Sequence, residues 1–151
     1  MSACAIIEAA PPHLPEWGVL RFALWPWDTP DDHAREAESL YLSSDPDRAA
    51  FVALDPASAV IGFAEATLRR DYVEGCGTSP VGFLEGIYVS PDARLSGVAR
   101  QLADKVAAWA KANGCTEYAS NALLDNADSH AFHAAIGFAE TERVVYFRKR
   151  L

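Results

Sequence analysis

The sequence predicts an α/β domain of the α+β kind, with helices covering a mixed sheet. Strand-like runs bounded by Gly and Pro interleave with segments of helical apolar spacing, in the order β-α-α-β-β-β-α-β-α-β. Three consecutive strands in the middle imply antiparallel hairpins, whereas the later strand–helix–strand passages imply crossovers. Together they imply a mixed sheet. The chain has 151 residues, half of them apolar, with no linker or low-complexity tract, so residues 1–151 read as one domain with a single core.

Residues 4–9 (CAIIEA) read as the first strand, broken by Pro11 and Pro12. Apolar residues at helical spacing run from Leu14 to Leu24 and stop at Pro26. A second helix is expected from Asp31 to Leu42, because two acidic residues suit a helix N-terminus. AAFVALD and VIGFAEATLRR form a hairpin, and the Gly- and Pro-bearing loop DYVEGCGTSP leads into the strand VGFLEGIYV. The next helix, about Gly97 to Asn113, buries Val98, Leu102, Val106 and Trp109, and Gly114 follows as its C′ residue. CTEYASN is a short strand. Asp125 can cap a helix that runs through about Ile136 and ends at Gly137, and ETERVVYFRKRL closes the chain as a strand.

The net charge of -8 argues against nucleic acid, whose phosphates require a basic surface. It suits a cationic partner or an ordinary acidic soluble protein. No membrane span or secretory leader is expected, and Cys4, Cys76 and Cys115 lack metal-finger spacing, so a cytoplasmic protein with reduced thiols and no metal is expected.

The strand-to-helix turn Arg94-Leu95-Ser96-Gly97-Val98-Ala99 has the makings of an anion site. The first amides of a helix have no intrahelical partner and the dipole there favours anions. Gly97 and Ala99 leave room for a phosphate and Arg94 can add a charge-assisted bond; equally, small residues there can serve only to pack the helix on the sheet. Glu85, inside an otherwise apolar strand, is either an edge charge in water or a binder of a cation. Regular alternation would set it on the sheet face of Ile87.

R-x-x-G-x-A between the fourth strand and third helix resembles motif A of the GNAT superfamily of N-acetyltransferases, and NADSHAFHAAIGF resembles motif B. The stretches TSPVGFLEGIYV, WAK, CTEYAS, LDN, SHAFH and ETERVVYF further resemble one subgroup of aminoglycoside 6′-N-acetyltransferases, from about Trp17 to the end. The resemblance implies a homodimeric enzyme that moves acetyl from acetyl-CoA to the 6′-amine of an aminoglycoside and so confers resistance. Acetylation of another amine (a polyamine or a protein N-terminus) and a non-catalytic acetyl-CoA sensor are the alternatives.

By the same resemblance, Ile87, Tyr88 and Val89 would pair with pantetheine, one amide serving as oxyanion donor, and amides from Leu95 through Ser96, Gly97, Val98 and Ala99 to Arg100 would meet the pyrophosphate, with Asn126 beside pantetheine. Glu85 would hold the substrate ammonium and accept its proton. Trp25, Tyr72, Asn121 and Glu142 are the further substrate candidates, each of which can instead be an ordinary core or surface residue. His133 and Tyr146 are rival acids for the leaving thiolate, unless CoA thiolate needs none. Two residues depart from the subgroup: Asn121 stands where Asp is usual, supplying neither charge nor base, and Leu95 stands where Arg is frequent.

Overall fold

A computed structural model describes residues 3–151. Its elements are β1 (Ala5–Glu8), α1 (Leu14–Leu24), α2 (Pro30–Tyr41), β2 (Arg48–Leu54), β3 (Val60–Arg69), β4 (Val81–Val89), α3 (Val98–Ala112), β5 (Tyr118–Ser120) and α4 (Ala127–Ala135). The sheet runs β1-β2-β3-β4-β5; the first four strands pair antiparallel, and β5 joins β4 in parallel after the α3 crossover. The expected mixed sheet is therefore present, with the first nine elements in the expected order.

The helices divide the core between the two faces of the sheet. On one face α3 lays Val98, Leu102 and Val106 over Phe51, Ala64, Ala66 and Leu84. On the other, Trp17 and Leu20 of α1 and Ala37 of α2 cover Val52 and Phe63. Thr29 caps α2 by accepting the Asp32 amide at 3.1 Å, just ahead of Pro30 at the first helical position.

Three expectations are corrected. The closing strand does not form: residues 139–151 make no strand, and Val145, Tyr146 and Phe147 are 76%, 85% and 93% exposed. A strand exists through its pairing, and this segment lies beside no other strand among the described residues. The cap of α4 is Asn126, not Asp125, because Asn126 accepts the Ser129 amide at 3.1 Å. The alternation of β4 is also broken. Its register with β3 shifts between Glu65 and Ala66, which face Gly86 and Leu84, so Glu85 is the extra residue of a β-bulge. Leu84 and Ile87, three apart, both pack in the core under α3, while Glu85 lies on the opposite face with Thr67 and Arg69, and not with Ile87.

Candidate active site

Two features meet on β4. The first is a strand edge. Only Gly82, Phe83 and Leu84 pair with β5, so from Glu85 to Val89 the β5-side edge of β4 has no strand partner among the described residues. Arg94 reaches back to this edge, donating from Nε to the Val89 carbonyl at 3.0 Å with its guanidinium 5.2 Å from the centre of the Tyr88 ring. Beyond it, Leu95 and Gly97 both take left-handed φ, +63° and +83°. Gly97 holds that conformation at no steric cost and serves as the N-cap of α3 without any side-chain cap. The first amides of α3 thus stay open beside the end of β4, the arrangement that binds phosphate oxygens. Ser96 and Arg100 are otherwise engaged: the Ser96 hydroxyl donates to the Ala93 carbonyl, and Arg100 donates to the Ala135 carbonyl at 2.7 Å, tying α3 to the end of α4. Leu95 is fully exposed, so the amides and not its side chain are what this turn offers an anion.

The second feature is a cavity of about 750 Å³ over the opposite face, walled by α1, α2, the second half of β3 and the middle of β4. Trp25, Tyr72 and Glu85, three of the substrate candidates, all line it. Trp25 stacks near His33 at 6.5 Å between ring centres, and its ring covers Gly86: a Cβ there would stand 2.5 Å from the indole. His33 fixes the turn after α1, with Nε2 between the carbonyls of Trp25 at 3.0 Å and Trp27 at 2.9 Å. A hydrogen on Nε2 satisfies both contacts and leaves Nδ1 as the buried atom without a partner.

The charges in the cavity are balanced. Glu36, Glu65, Asp71 and Glu85 face Arg21, Arg48, Arg69 and Arg70, so the wall is not the acidic one that a polycation would suggest. Glu65 is fully buried; it accepts from Trp17 Nε1 at 2.9 Å and pairs with Arg21, which also reaches Glu36. Burial pushes the Glu65 carboxyl above its ordinary range against the pull of Arg21. Burial likewise raises the Tyr41 phenol, with Glu65 and Glu85 adding to the effect. Glu85 is neither a solvated edge charge nor a free one. Its Oε1 accepts from Thr67 Oγ1 at 2.6 Å and from Arg69 Nε and Nη2 at 3.1 and 2.9 Å, and its Oε2 accepts from Arg69 Nη2 at 3.0 Å.

The remaining candidates lie elsewhere. Asn121, just after β5, and Glu142 are exposed and do not line the cavity. The chain around Glu142 does approach the Tyr72 loop, since a Cβ at Gly75 would strike Thr141 at 2.3 Å. Asn126 spends its side-chain oxygen on the α4 cap. His133 is held at both nitrogens, Nδ1 2.7 Å from the Ser129 carbonyl and Nε2 2.8 Å from Ser120 Oγ, whose hydroxyl lies 3.3 Å from the Leu84 carbonyl of β4. Tyr146, expected in a closing strand, is in the exposed segment. The sequence reading missed Arg69, His33 and Trp27. A signal for Arg69 was available: Glu65, Thr67 and Arg69 recur at every second position of a strand that is otherwise mostly apolar.

A mixed sheet with an unpaired edge on β4, open helix amides at its end and a cavity alongside can seat an extended, phosphate-bearing ligand, and the chain belongs to the Acetyltransferase (GNAT) family, whose model matches residues 13–138. Among curated relatives, the aminoglycoside N(6′)-acetyltransferase type 1 of Serratia marcescens is 50% identical over 139 residues, spanning 92% of this chain and 94% of the relative. That of Acinetobacter baumannii is 46% identical over 146 residues, spanning 97% and 98%. Among solved structures, aminoglycoside N-acetyltransferase AAC(6′)-Iy in complex with CoA superposes with a TM-score of 0.92 at 44% identity, over 100% of this chain and 97% of that one. AAC(6′)-Iy with a bisubstrate analogue, CoA-S-monomethyl-acetylneamine, gives 0.90 at 43% identity, over 99% and 100%.

Proposed function

We propose that this protein is an acetyl-CoA-dependent aminoglycoside 6′-N-acetyltransferase, built as one domain over residues 1–151, and that its cytoplasmic activity confers resistance. The observation that carries the reading is the junction at Glu85 and Gly86, where an unpaired strand edge and a carboxylate-bearing cavity meet on one strand. The names of the relatives supply the substrate class.

In this reading the pantetheine arm of acetyl-CoA lies along Ile87–Val89 as an added strand and its pyrophosphate sits on the α3 amides. An amide on the β4 edge donates to the carbonyl oxygen as it gains charge. Glu85 holds the 6′-ammonium and takes its proton, directly or through water. The amine nitrogen then bonds to the thioester carbon, the tetrahedral intermediate collapses as its nitrogen gives up a second proton to water or, by way of the acid, to the departing sulfur, the C–S bond breaks, and CoA leaves as thiolate or thiol. Transfer in this reading is direct within a ternary complex; burial pushes the Cys76 and Cys115 thiols up, which disfavours a nucleophilic thiolate at either. Of the two rival acids, His133 has the better support, because its contact with Ser120 links it to the Leu84 carbonyl at the point where β4 and β5 separate. Trp25 and Tyr72 supply aromatic faces for the sugars.

Thiol release from acetyl-CoA in the presence of kanamycin- or tobramycin-like amines tests the activity. Release with another amine but none with these would transfer the reading to a different substrate. Glu85→Ala should lose roughly 10²-fold or more in kcat/KM, and near-normal turnover would remove Glu85 from the mechanism.

A homodimer is part of the proposal. Val144, Val145, Tyr146 and Phe147 form a run that is apolar on both strand faces, the pattern of a strand buried on both sides, yet all four are exposed in the single chain. An open edge and an unpaired apolar segment in one chain are complementary in two copies. Light scattering should find a dimer for the full chain and a monomer when residues 141–151 are removed; a monomeric full chain would exclude it.

A further inference from the structure

We propose that Arg69 is an internal competitor for the substrate amine: in the free protein its guanidinium occupies the seat at Glu85 that the amine cation takes during turnover. The inference rests on the activity proposed above.

The contacts on Glu85 leave little room for a second cation. Oε1 receives three donors, Thr67 Oγ1 and both Nε and Nη2 of Arg69, and Oε2 receives Arg69 Nη2. A carboxylate oxygen has about two lone-pair sites. Oε1 is therefore full and Oε2 has one site left, so an ammonium that seats fully on Glu85 must displace the guanidinium. The displacement is feasible. Arg69 is the last residue of β3 and its side chain is 42% exposed, against 26% for Glu85, so water can solvate the guanidinium as it leaves the carboxylate. Its guanidinium also lies 3.5 Å from the centre of the Phe83 ring, so a cation–π seat remains when the carboxylate is given up. Thr67, half-buried beside the pair, keeps its hydrogen bond to Oε1 and holds the Glu85 rotamer during the exchange.

Arg69 is thereby a specificity-determining residue. A monoamine must win the seat at Glu85 by itself. A polycation is also drawn to Asp71, a cavity carboxylate with no ion-pair partner among the described residues, and competes with Arg69 from a raised effective concentration. The pair penalises small amines more than aminoglycosides.

The test compares wild type with Arg69→Met, which keeps an unbranched stem over Phe83 and removes the charge. The expected result is a KM for a kanamycin-like substrate lowered about two- to fivefold with kcat little changed, and a larger gain in kcat/KM for a monoamine such as 6-amino-6-deoxyglucose. Arg69→Lys, which keeps a charge without the fork, should fall between. A KM that is unchanged or higher in correctly folded Arg69→Met, verified by its melting temperature, would overturn the proposal. A second readout needs no turnover: the Arg69 Nε–H resonance, assigned by its loss in Arg69→Met, should shift when ethylammonium or aminoglycoside is titrated into the wild type. No shift with either cation overturns the proposal whatever the assays of turnover show. A shift without acetyl transfer would uphold Arg69 and refute the aminoglycoside reading.

Discussion

The buried pair under the cavity gives the sharpest stability prediction. Glu65→Ala removes a carboxylate that accepts from Trp17 Nε1 at 2.9 Å and pairs with an Arg21 side chain only 3% exposed. Arg21 would keep Glu36, whose side chain is 57% exposed and so screened by water. The Nε of Arg21 already lacks a partner, so the variant leaves a buried cation short of acceptors. Breaking a buried pair from one side costs about 3–5 kcal/mol. For a domain of this size each kcal/mol is worth about 2–4 °C, which puts the fall in Tm at roughly 6–20 °C. Because the Arg21 guanidinium sits 5.0 Å from the Trp25 ring centre, the cavity wall should loosen too and raise KM for the amine. Urea and thermal unfolding of the single variants and of Arg21→Met/Glu65→Leu provide the assay. The double variant should recover much of the loss, since an apolar pair needs no counter-charge. A loss below about 1 kcal/mol in Glu65→Ala, or strictly additive losses in the double variant, would refute the account of a coupled, buried pair.

Gly86→Ala places a Cβ 2.5 Å from the Trp25 indole, so the ring must move; we expect a loss of about 1–3 kcal/mol in urea unfolding together with a raised KM for the amine. Glu117 accepts from the Gly77 and Thr78 amides at 2.9 and 2.8 Å and from the Thr78 hydroxyl, and these bonds hold its carboxyl below the usual range. Its contribution is fully present above the ordinary carboxylate range and fades as pH falls through the depressed value, so amide exchange at Gly77 and Thr78 should accelerate, relative to the intrinsic rates, only at acid pH. The Cys115 thiol, buried and pushed up by that burial, should resist iodoacetamide at pH 7.5 in the folded protein and react after denaturation, as mass spectrometry would read.

Much of this architecture follows from local signals in the chain. Helical spacing and end residues mark α3: Val98, Leu102 and Val106 form the buried stripe, and Gly114 takes the positive φ, +84°, expected of its position. Trp25 and Tyr72, which line the cavity, are pointed to only by the family resemblance, whereas Glu85 stands out by itself as a carboxylate in an apolar strand. What was hidden depends on register. Whether Glu85 faces Ile87 or the cavity is decided by a shift against β3, which no spacing within β4 reveals, although a lone Gly after Glu85 is a known mark of a bulge. The Arg69–Glu85 pair is a contact between strands and was hidden for the same reason. The closing strand failed because an apolar run shows only that a segment can pair and leaves its partner unspecified.

The bulge also explains how one strand serves two compartments. A regular β4 would set Glu85 and Ile87 on the same face, under α3, where a carboxylate would be buried among Phe51, Ala64 and Leu102 without a cation. The extra residue turns Glu85 to the cavity side, where Thr67 and Arg69 meet it, and returns Ile87 to the core under α3. The backbone between them runs past the end of the β5 pairing, so the strand edge opens where the carboxylate turns toward the cavity. Gly86 must be small in this geometry, because Trp25 covers it from the cavity side. The attacking amine and the thioester can then approach from different sides of β4 and meet within a residue or two of Gly86. In the proposed mechanism a register shift thus sets where the amine and thioester meet, and any substitution that restores regular pairing between β3 and β4 should abolish turnover while leaving the sheet intact.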